Sequence, residues 1–211
     1  MKNIAAAIIA FVGPVQAASI PTAPSAQAHS SLTSRADCSN ITCTPATGAA
    51  HIVVNRASTE APGTGVLGSV ADAIVAARPG SDIATNPYPA LLDPYVESQT
   101  AGVGNLTDIV LNYQSCCPDI AAVVLMGDPS FQKNLSWDRG NASNVSYFPR
   151  IDNAACLPVA DKMISYCDSN DYFCDNGTTA DALAIHQTYV QRYGTEAAEY
   201  AADKISECST D

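Results

Sequence analysis

The chain has 211 residues, 47% hydrophobic and 15% charged, which suits one globular domain with a sizeable core and argues against a disordered chain. Ten basic against twenty-one acidic residues give a net charge of −11, and no cluster of Lys or Arg offsets it. That balance argues against nucleic acid and anionic membrane as partners.

The N-terminus reads as a targeting signal. Lys2 supplies a positive start, residues 4–12 a short apolar core, and Val15-Gln16-Ala17 small residues at the positions a signal peptidase reads. Residues 1–17 are therefore expected to be a signal peptide, too short in its apolar run to span a bilayer. Residues 18–37, rich in Pro, Ser and Ala, read as a propeptide or flexible lead-in, and residues 38–211 as the folded domain. The protein is expected to be secreted and extracellular. All eight cysteines, at 38, 43, 116, 117, 156, 167, 174 and 208, follow the cleavage point. An even count in an oxidising compartment reads as disulfides, whose pairing the sequence leaves open. Metal ligation is the weaker reading, because only three histidines accompany the cysteines. Asn-x-Ser/Thr sequons begin at Asn40, Asn105, Asn134, Asn141, Asn144 and Asn176, each a candidate glycosylation site.

Strand and helix patterns alternate through the domain. Residues 50–55 (A-H-I-V-V-N) read as a buried strand running into a polar, Gly-rich loop. Residues 66–77 have helical spacing and stop at Arg78-Pro79-Gly80. Residues 81–84 are a second short strand, 86–97 an irregular Pro-rich loop and 100–113 a second helix. Residues 121–126 (A-A-V-V-L-M) form a continuous apolar run, as in a strand buried on both faces. Residues 132–155 read as a sequon-crowded loop, 158–165 as a helical turn and 188–205 as the last helix. The alternation predicts an α/β fold with a mostly parallel sheet.

The chemistry concentrates near the end of the chain. Cys167 and Cys174 bracket a loop short enough for a disulfide to stiffen, and Asp171 lies inside it. His186 follows fifteen residues on. His29 sits in the lead-in and His51 opens a strand, so neither competes with it. An acid on a clipped loop followed by a histidine matches the second half of a Ser-His-Asp triad, where the acid fixes the tautomer and orientation of the imidazole. Taken singly, Asp171, His186 and the clip each read as structural; as an ordered set they favour catalysis. Ser58, in Arg56-Ala57-Ser58-Thr59-Glu60 just past the first strand, is an oxyanion-hole candidate, although a serine in a strand-exit turn is the plainer reading. Gly63-Thr64-Gly65-Val66-Leu67-Gly68 matches a dinucleotide fingerprint, but the strand ends too early and an exported protein leaves the cofactor pool. No cofactor and no metal are expected.

These residues resemble the cutinase and acetylxylan esterase family of secreted serine esterases over about residues 50–208. The resemblance rests on Arg56-Ala57-Ser58-Thr59-Glu60, Cys117-Pro118-Asp119, Met126-Gly127-Asp128-Pro129, the stretch from Ser165 through Asp171 to Cys174, and His186 ahead of Tyr189 and Tyr193-Gly194. It implies a three-layer α/β-hydrolase-like fold, Asp171 and His186 as triad members and Ser58 in the oxyanion hole. It also implies a disulfide between Cys43 and Cys117 and a plant cell-wall polysaccharide or polyester as substrate. A monomer is expected.

The chain departs from that family at one place. Between Cys117-Pro118-Asp119 and the apolar strand the family carries a further strand, a nucleophile elbow and a helix, whereas here Asp119 runs directly into Ile120 and Ala121. No Gly-x-Ser-x-Gly occurs anywhere in the chain, so no residue is assigned as nucleophile. One strand-helix unit is expected to be missing, with the strand at residues 121–126 sliding into the vacated slot. An incomplete gene model accounts for the clean join; an inactive secreted binding protein is the alternative.

Overall fold

The computed structural model describes residues 5–9, 48–116 and 119–208. Cys38, Asn40, Cys43 and Cys117, and with them the expected Cys43–Cys117 bridge, lie outside the described residues. The elements in chain order are β1 (Ala5–Ile9), β2 (Ala50–Val54), α1 (Gly68–Ala77), β3 (Asp82–Thr85), α2 (Tyr95–Cys116), β4 (Asp119–Met126), β5 (Asp138–Gly140), β6 (Met163–Cys167), α3 (Ala182–His186) and α4 (Tyr189–Cys208). A single turn of 3₁₀ helix precedes α1, and a longer 3₁₀ segment, Ala154–Lys162, precedes β6.

Six strands form one sheet in the order β3-β2-β1-β4-β6-β5. Every pairing is parallel. A parallel sheet is covered on both faces, so its central strands carry apolar residues on both sides. In β4, Ala122, Val124 and Met126 belong to one core cluster, with Ile52 and Val54 of β2, Val70 and Ile74 of α1, and Ala197, Ala201 and Ile205 of α4. Leu125, with Trp137 and Met163, forms a second cluster against Leu106 and Val110 of α2. The sheet is thus the middle layer, with α1 and α4 on one face and α2 on the other. The alanines of α4 let its backbone approach the sheet closely, and the Arg78 Nε–H at the end of α1 donates to the Ala202 carbonyl at 2.7 Å. This is the expected three-layer α/β fold.

Four local expectations are corrected. Residues 158–165 were expected as a helical turn, but Met163–Cys167 is a fully buried strand. Its five residues are too few for periodicity to separate a buried strand from a helical turn. β5 lies inside the stretch expected as loop, where Asp138 to Gly140 pair with Ser165 to Cys167. Helix α2 begins at Tyr95, inside the stretch expected as irregular, directly after Pro94. A proline at the entry of a helix loses no hydrogen bond, so it marks a start there and not a break.

The fourth correction concerns the slot beside β2. The strand at residues 121–126 was expected to slide into it, but β1 stands there, pairing Ala5–Ile9 with Ala50–Val54 on one side and with β4 on the other. The pairing with β4 skips Ala121, where the register shifts. A short Ala/Ile run meets the demands of a central parallel strand as well as it meets those of a leader's apolar core. If β1 closes the sheet, a chain starting at Ala18 leaves the inner edges of β2 and β4 unpaired. Such a chain is expected to unfold at a lower temperature than the full chain in matched thermal melts, and equal midpoints would show that β1 contributes no stability.

Candidate active site

In a parallel sheet with helical crossovers, the loops leaving the carboxyl ends of the strands gather along one edge, where α/β enzymes place their sites. Three such loops matter here: residues 55–60 after β2, Gly127 to Ser130 after β4 and the clipped loop after β6. Buried polar contacts hold the first. The Asn86 Nδ2–H donates to Asn55 Oδ1 at 2.6 Å and to the Gly102 carbonyl at 2.8 Å, tying β2 to α2. Glu60 turns back on the loop and accepts the N–H of Ala57 at 2.6 Å and of Val66 at 2.8 Å. Thr59 has a left-handed backbone, φ 71°, and its N–H donates to the Ala90 carbonyl at 2.6 Å. Ser58 sits at the turn of this braced loop.

The clipped loop is built around Asp171. Cys167 and Cys174 are disulfide-bonded. Asp171 is fully buried, and its Oδ1 accepts the backbone N–H of Phe173 and of Cys174, both at 2.7 Å. Its second oxygen faces His186, with 2.9 Å between Oδ2 and the imidazole Nδ1. Two neighbouring carboxylates fix the surroundings. Asp175, also fully buried, accepts the N–H of Ser143 and Asn144 through Oδ1 and the N–H of Asn170 through Oδ2. Asp168 accepts the Tyr193 hydroxyl at 2.7 Å and pairs with Arg192 at 2.6 Å, so the start of α4 is fastened to the base of the loop.

The imidazole is packed as well as hydrogen-bonded. His186 ends the short helix α3, and its ring meets Phe173 edge-on at 4.7 Å and Tyr189 at 6.1 Å. Gly127, at the end of β4, lies against it with φ +62°. A Cβ on Gly127 would sit 2.8 Å from His186 Cε1 and 2.9 Å from Nδ1, so only glycine leaves the imidazole its place. Asp128, next in the chain, is fully buried and paired with Arg150 at 2.7 Å. Burial pushes its carboxyl up to about 6, with the Arg150 charge pulling the other way.

Ser58 and His186 line the same cavity, about 430 Å³ in volume, together with Tyr95, Gln99, Leu106 and Phe173. Its wall is mostly apolar. Gln99 is only 6% exposed, and among the described residues neither atom of its side-chain amide has a hydrogen-bond partner. The structure therefore brings Asp171, His186 and Ser58 to one edge of the sheet. Sequence reasoning assigned no role to Gly127, although it stands in the Met-Gly-Asp-Pro motif, nor to Asp175, which looks like any loop carboxylate until its three backbone donors are seen. Of the sequons, Asn134, Asn141, Asn144 and Asn176 are exposed and Asn105 is half-buried. The Nδ2 of Asn105 donates to the Pro87 carbonyl and that of Asn144 to Asp175. Cys156 is half-buried and has no disulfide partner among the described residues.

The comparisons with known proteins converge. The family profile described as Cutinase matches residues 42–120 and 119–205, two pieces that meet at Asp119–Ile120. Acetylxylan esterase 2 of Talaromyces purpureogenus is 27% identical over 74% of this chain and 87% of its own length. Cutinase 11 of Verticillium dahliae is 23% identical over 74% of this chain and 68% of its own. A solved structure of an iodinated complex of acetyl xylan esterase superposes with a TM-score of 0.67 at 24% identity, covering 76% of this chain and 99% of that one.

Two variants test the geometry. Gly127→Ala adds a left-handed alanine and a clash with the imidazole, and should cost roughly 1–3 kcal/mol in urea unfolding. An unchanged midpoint would show that His186 does not rest on this residue. Replacing both Cys167 and Cys174 by Ala should lower stability by roughly 2–3 kcal/mol, the loop-closure figure for so short a ring. A loss near zero would mean that the hydrogen bonds to Asp171 and Asp175 hold the loop unaided.

Proposed function

The chain belongs to the cutinase family, whose relatives are carboxylic-ester hydrolases, and from that premise we propose a secreted serine-esterase scaffold directed at plant cell-wall esters, either acetyl groups on xylan or cutin-like polyester. Asp171 and His186 are its acid and base, and Ser58 its oxyanion donor. The single observation that carries this reading is the 2.9 Å contact between His186 Nδ1 and the buried Asp171 carboxylate. With the proton on Nδ1, that bond fixes the tautomer and leaves Nε2 to take the proton of a nucleophile, while the carboxylate stabilises the imidazolium that forms. Asp171 is suited to this because its other oxygen is already held by two backbone N–H groups. That Ser58 lines the same cavity as His186, on a braced loop, supports a role in which its hydroxyl and N–H donate to an oxyanion.

The nucleophile itself is not in this polypeptide. In the serine mechanism the hydroxyl attacks the ester carbonyl as its proton passes to His186, and the alcohol leaves with that proton to give an acyl-enzyme. The elbow that presents such a serine is a strand-to-helix turn of Gly-x-Ser-x-Gly type, which this sequence lacks. The meeting of the two profile matches at Asp119–Ile120 supports a gap at that junction. We read the junction as the loss of a coding segment. The same absence favours a second reading, a secreted binding protein that keeps the scaffold without the reaction. On either reading residues 1–17 serve as an export leader, whose cleavage would take β1 out of the sheet. Among the sequons of the described residues, the exposed Asn134, Asn141 and Asn176 are the readiest glycan acceptors, since Asn105 and Asn144 use their amide nitrogens in hydrogen bonds.

The chain as written should hydrolyse p-nitrophenyl acetate and acetylated xylan no faster than its His186→Ala variant, because water in place of the serine gains little from positioning. Turnover well above that control, and blocked by a serine-directed phosphonate, would show that another serine serves. Coding DNA across Asp119–Ile120 separates the two readings: an in-frame segment encoding Gly-x-Ser-x-Gly supports the esterase, and its absence supports the binding protein.

A further inference from the structure

A chain of aromatic rings leads from His186 to open solvent. Phe173 meets the imidazole edge-on at 4.7 Å, and Tyr172 meets Phe173 edge-on at 4.9 Å. Tyr147 lies near-parallel to Tyr172, 19° between planes and 6.1 Å between centres, and meets Phe148 edge-on. The two tyrosines at the outer end are 49% and 42% exposed, and Leu183, which lines the cavity beside Phe173 and His186, is 51% exposed. Exposed rings grouped in this way, continuous with a cavity, mark an interaction surface and not the scattered apolar residues of an ordinary exterior.

The group is rigid. The Tyr147 N–H donates to the Phe173 carbonyl at 2.7 Å and the Phe148 N–H to the Pro129 carbonyl at 3.0 Å. The Tyr172 N–H donates to the Ala182 carbonyl at 3.3 Å, which ties the ring pair to the helix that carries His186. The buried Asp175 carboxylate fastens residues 143 and 144 to the same clipped loop. Rings held in place before binding lose little freedom when a ligand arrives.

We propose that Tyr147 and Tyr172 form a sugar platform that lays a neutral pyranose chain across the mouth of the His186 cavity. This deepens the esterase reading and rests on it for the substrate class. Tyrosine offers an apolar ring face with a wet hydroxyl at its edge, which suits a sugar ring with C–H groups on its faces and hydroxyls around its rim. An aliphatic polyester needs no such ring geometry. The net charge of −11 disfavours acidic polysaccharides, leaving an uncharged backbone such as β-linked xylose.

The test uses the full chain and xylohexaose, which carries no ester, so its outcome is independent of any hydrolysis. Calorimetric titration should show saturable binding. The double variant Tyr147→Ala/Tyr172→Ala should bind at least about tenfold more weakly, as expected when two stacking anchors are lost. Tyr147→Phe/Tyr172→Phe, which keeps the ring faces, should stay within about threefold of the parent, a change well under the loss of an anchor. Absence of binding by the parent would overturn the proposal, as would equal binding by the alanine variant or stronger adsorption of the parent to a polyester film than to insoluble xylan. Failure of the esterase reading is seen separately, in acetyl release by a chain with the Gly-x-Ser-x-Gly segment restored.

Discussion

The site depends on one buried carboxylate. Asp171 is wholly out of solvent, and a bare charge there would be costly. Three donors answer it: two backbone N–H groups on Oδ1 and the imidazole on Oδ2. The backbone donors are available because the chain turns sharply inside a covalent ring, so that residues two and three places on point back at the acid. The disulfide keeps the turn from opening, and the turn keeps the acid from wandering. The position of His186 follows from that of Asp171.

The rest of the edge is arranged to let this pair reach the sheet. Gly127 gives up its side chain so that the imidazole can rest on the end of β4. Tyr189 places its ring beside the imidazole and its hydroxyl against the Asp168 N–H and the Cys174 sulfur, so the first turn of α4 supports both the histidine and the clip. Burial raises the pKa of that phenol further above its ordinary value, which keeps it neutral beside two carboxylates. The loop with Ser58 is braced separately, through Asn86 and Glu60, from the opposite side of the cavity. The two halves face each other across the cavity that both line, and Tyr95 of α2 stacks on Phe148 at 5.6 Å to join them above the sheet.

Much of this was legible in the sequence. The strand at residues 50–54, the first and last helices and the apolar run at 121–126 announce themselves by period or by unbroken hydrophobicity. The Cys-bracketed loop and the lone downstream histidine pointed to the pair that the structure places 2.9 Å apart. What escaped was set by tertiary contacts. Met-Ile-Ser-Tyr-Cys is a strand because β4 lies beside it, and Asp-Arg-Gly is a strand only because β6 lends it an edge. Asp175 and Gly127 act through backbone N–H groups and empty space, neither of which a residue letter records. The aromatic run from His186 to Tyr147 joins segments that are tens of residues apart in sequence.

The slot beside β2 brings these threads together. A central strand has neighbours on both sides, and each neighbour's inward edge carries N–H and C=O groups that require partners once buried. Here Ala5–Ile9 supplies them. Those five residues sit inside the stretch whose charge, length and small-residue boundary read as an export leader. One segment cannot both be removed on export and remain in the middle of the sheet. If the leader is cleaved, β2 and β4 need another strand between them, and a segment restored at Asp119–Ile120 would enter the sheet at that place. Such a strand would end at the same edge as Ser58, Gly127 and Asp171, where a nucleophile elbow would have to stand to face His186. The strand in that slot and the serine that the proposed chemistry requires are thus one structural question: whatever fills the slot also decides what stands opposite the Asp171–His186 pair.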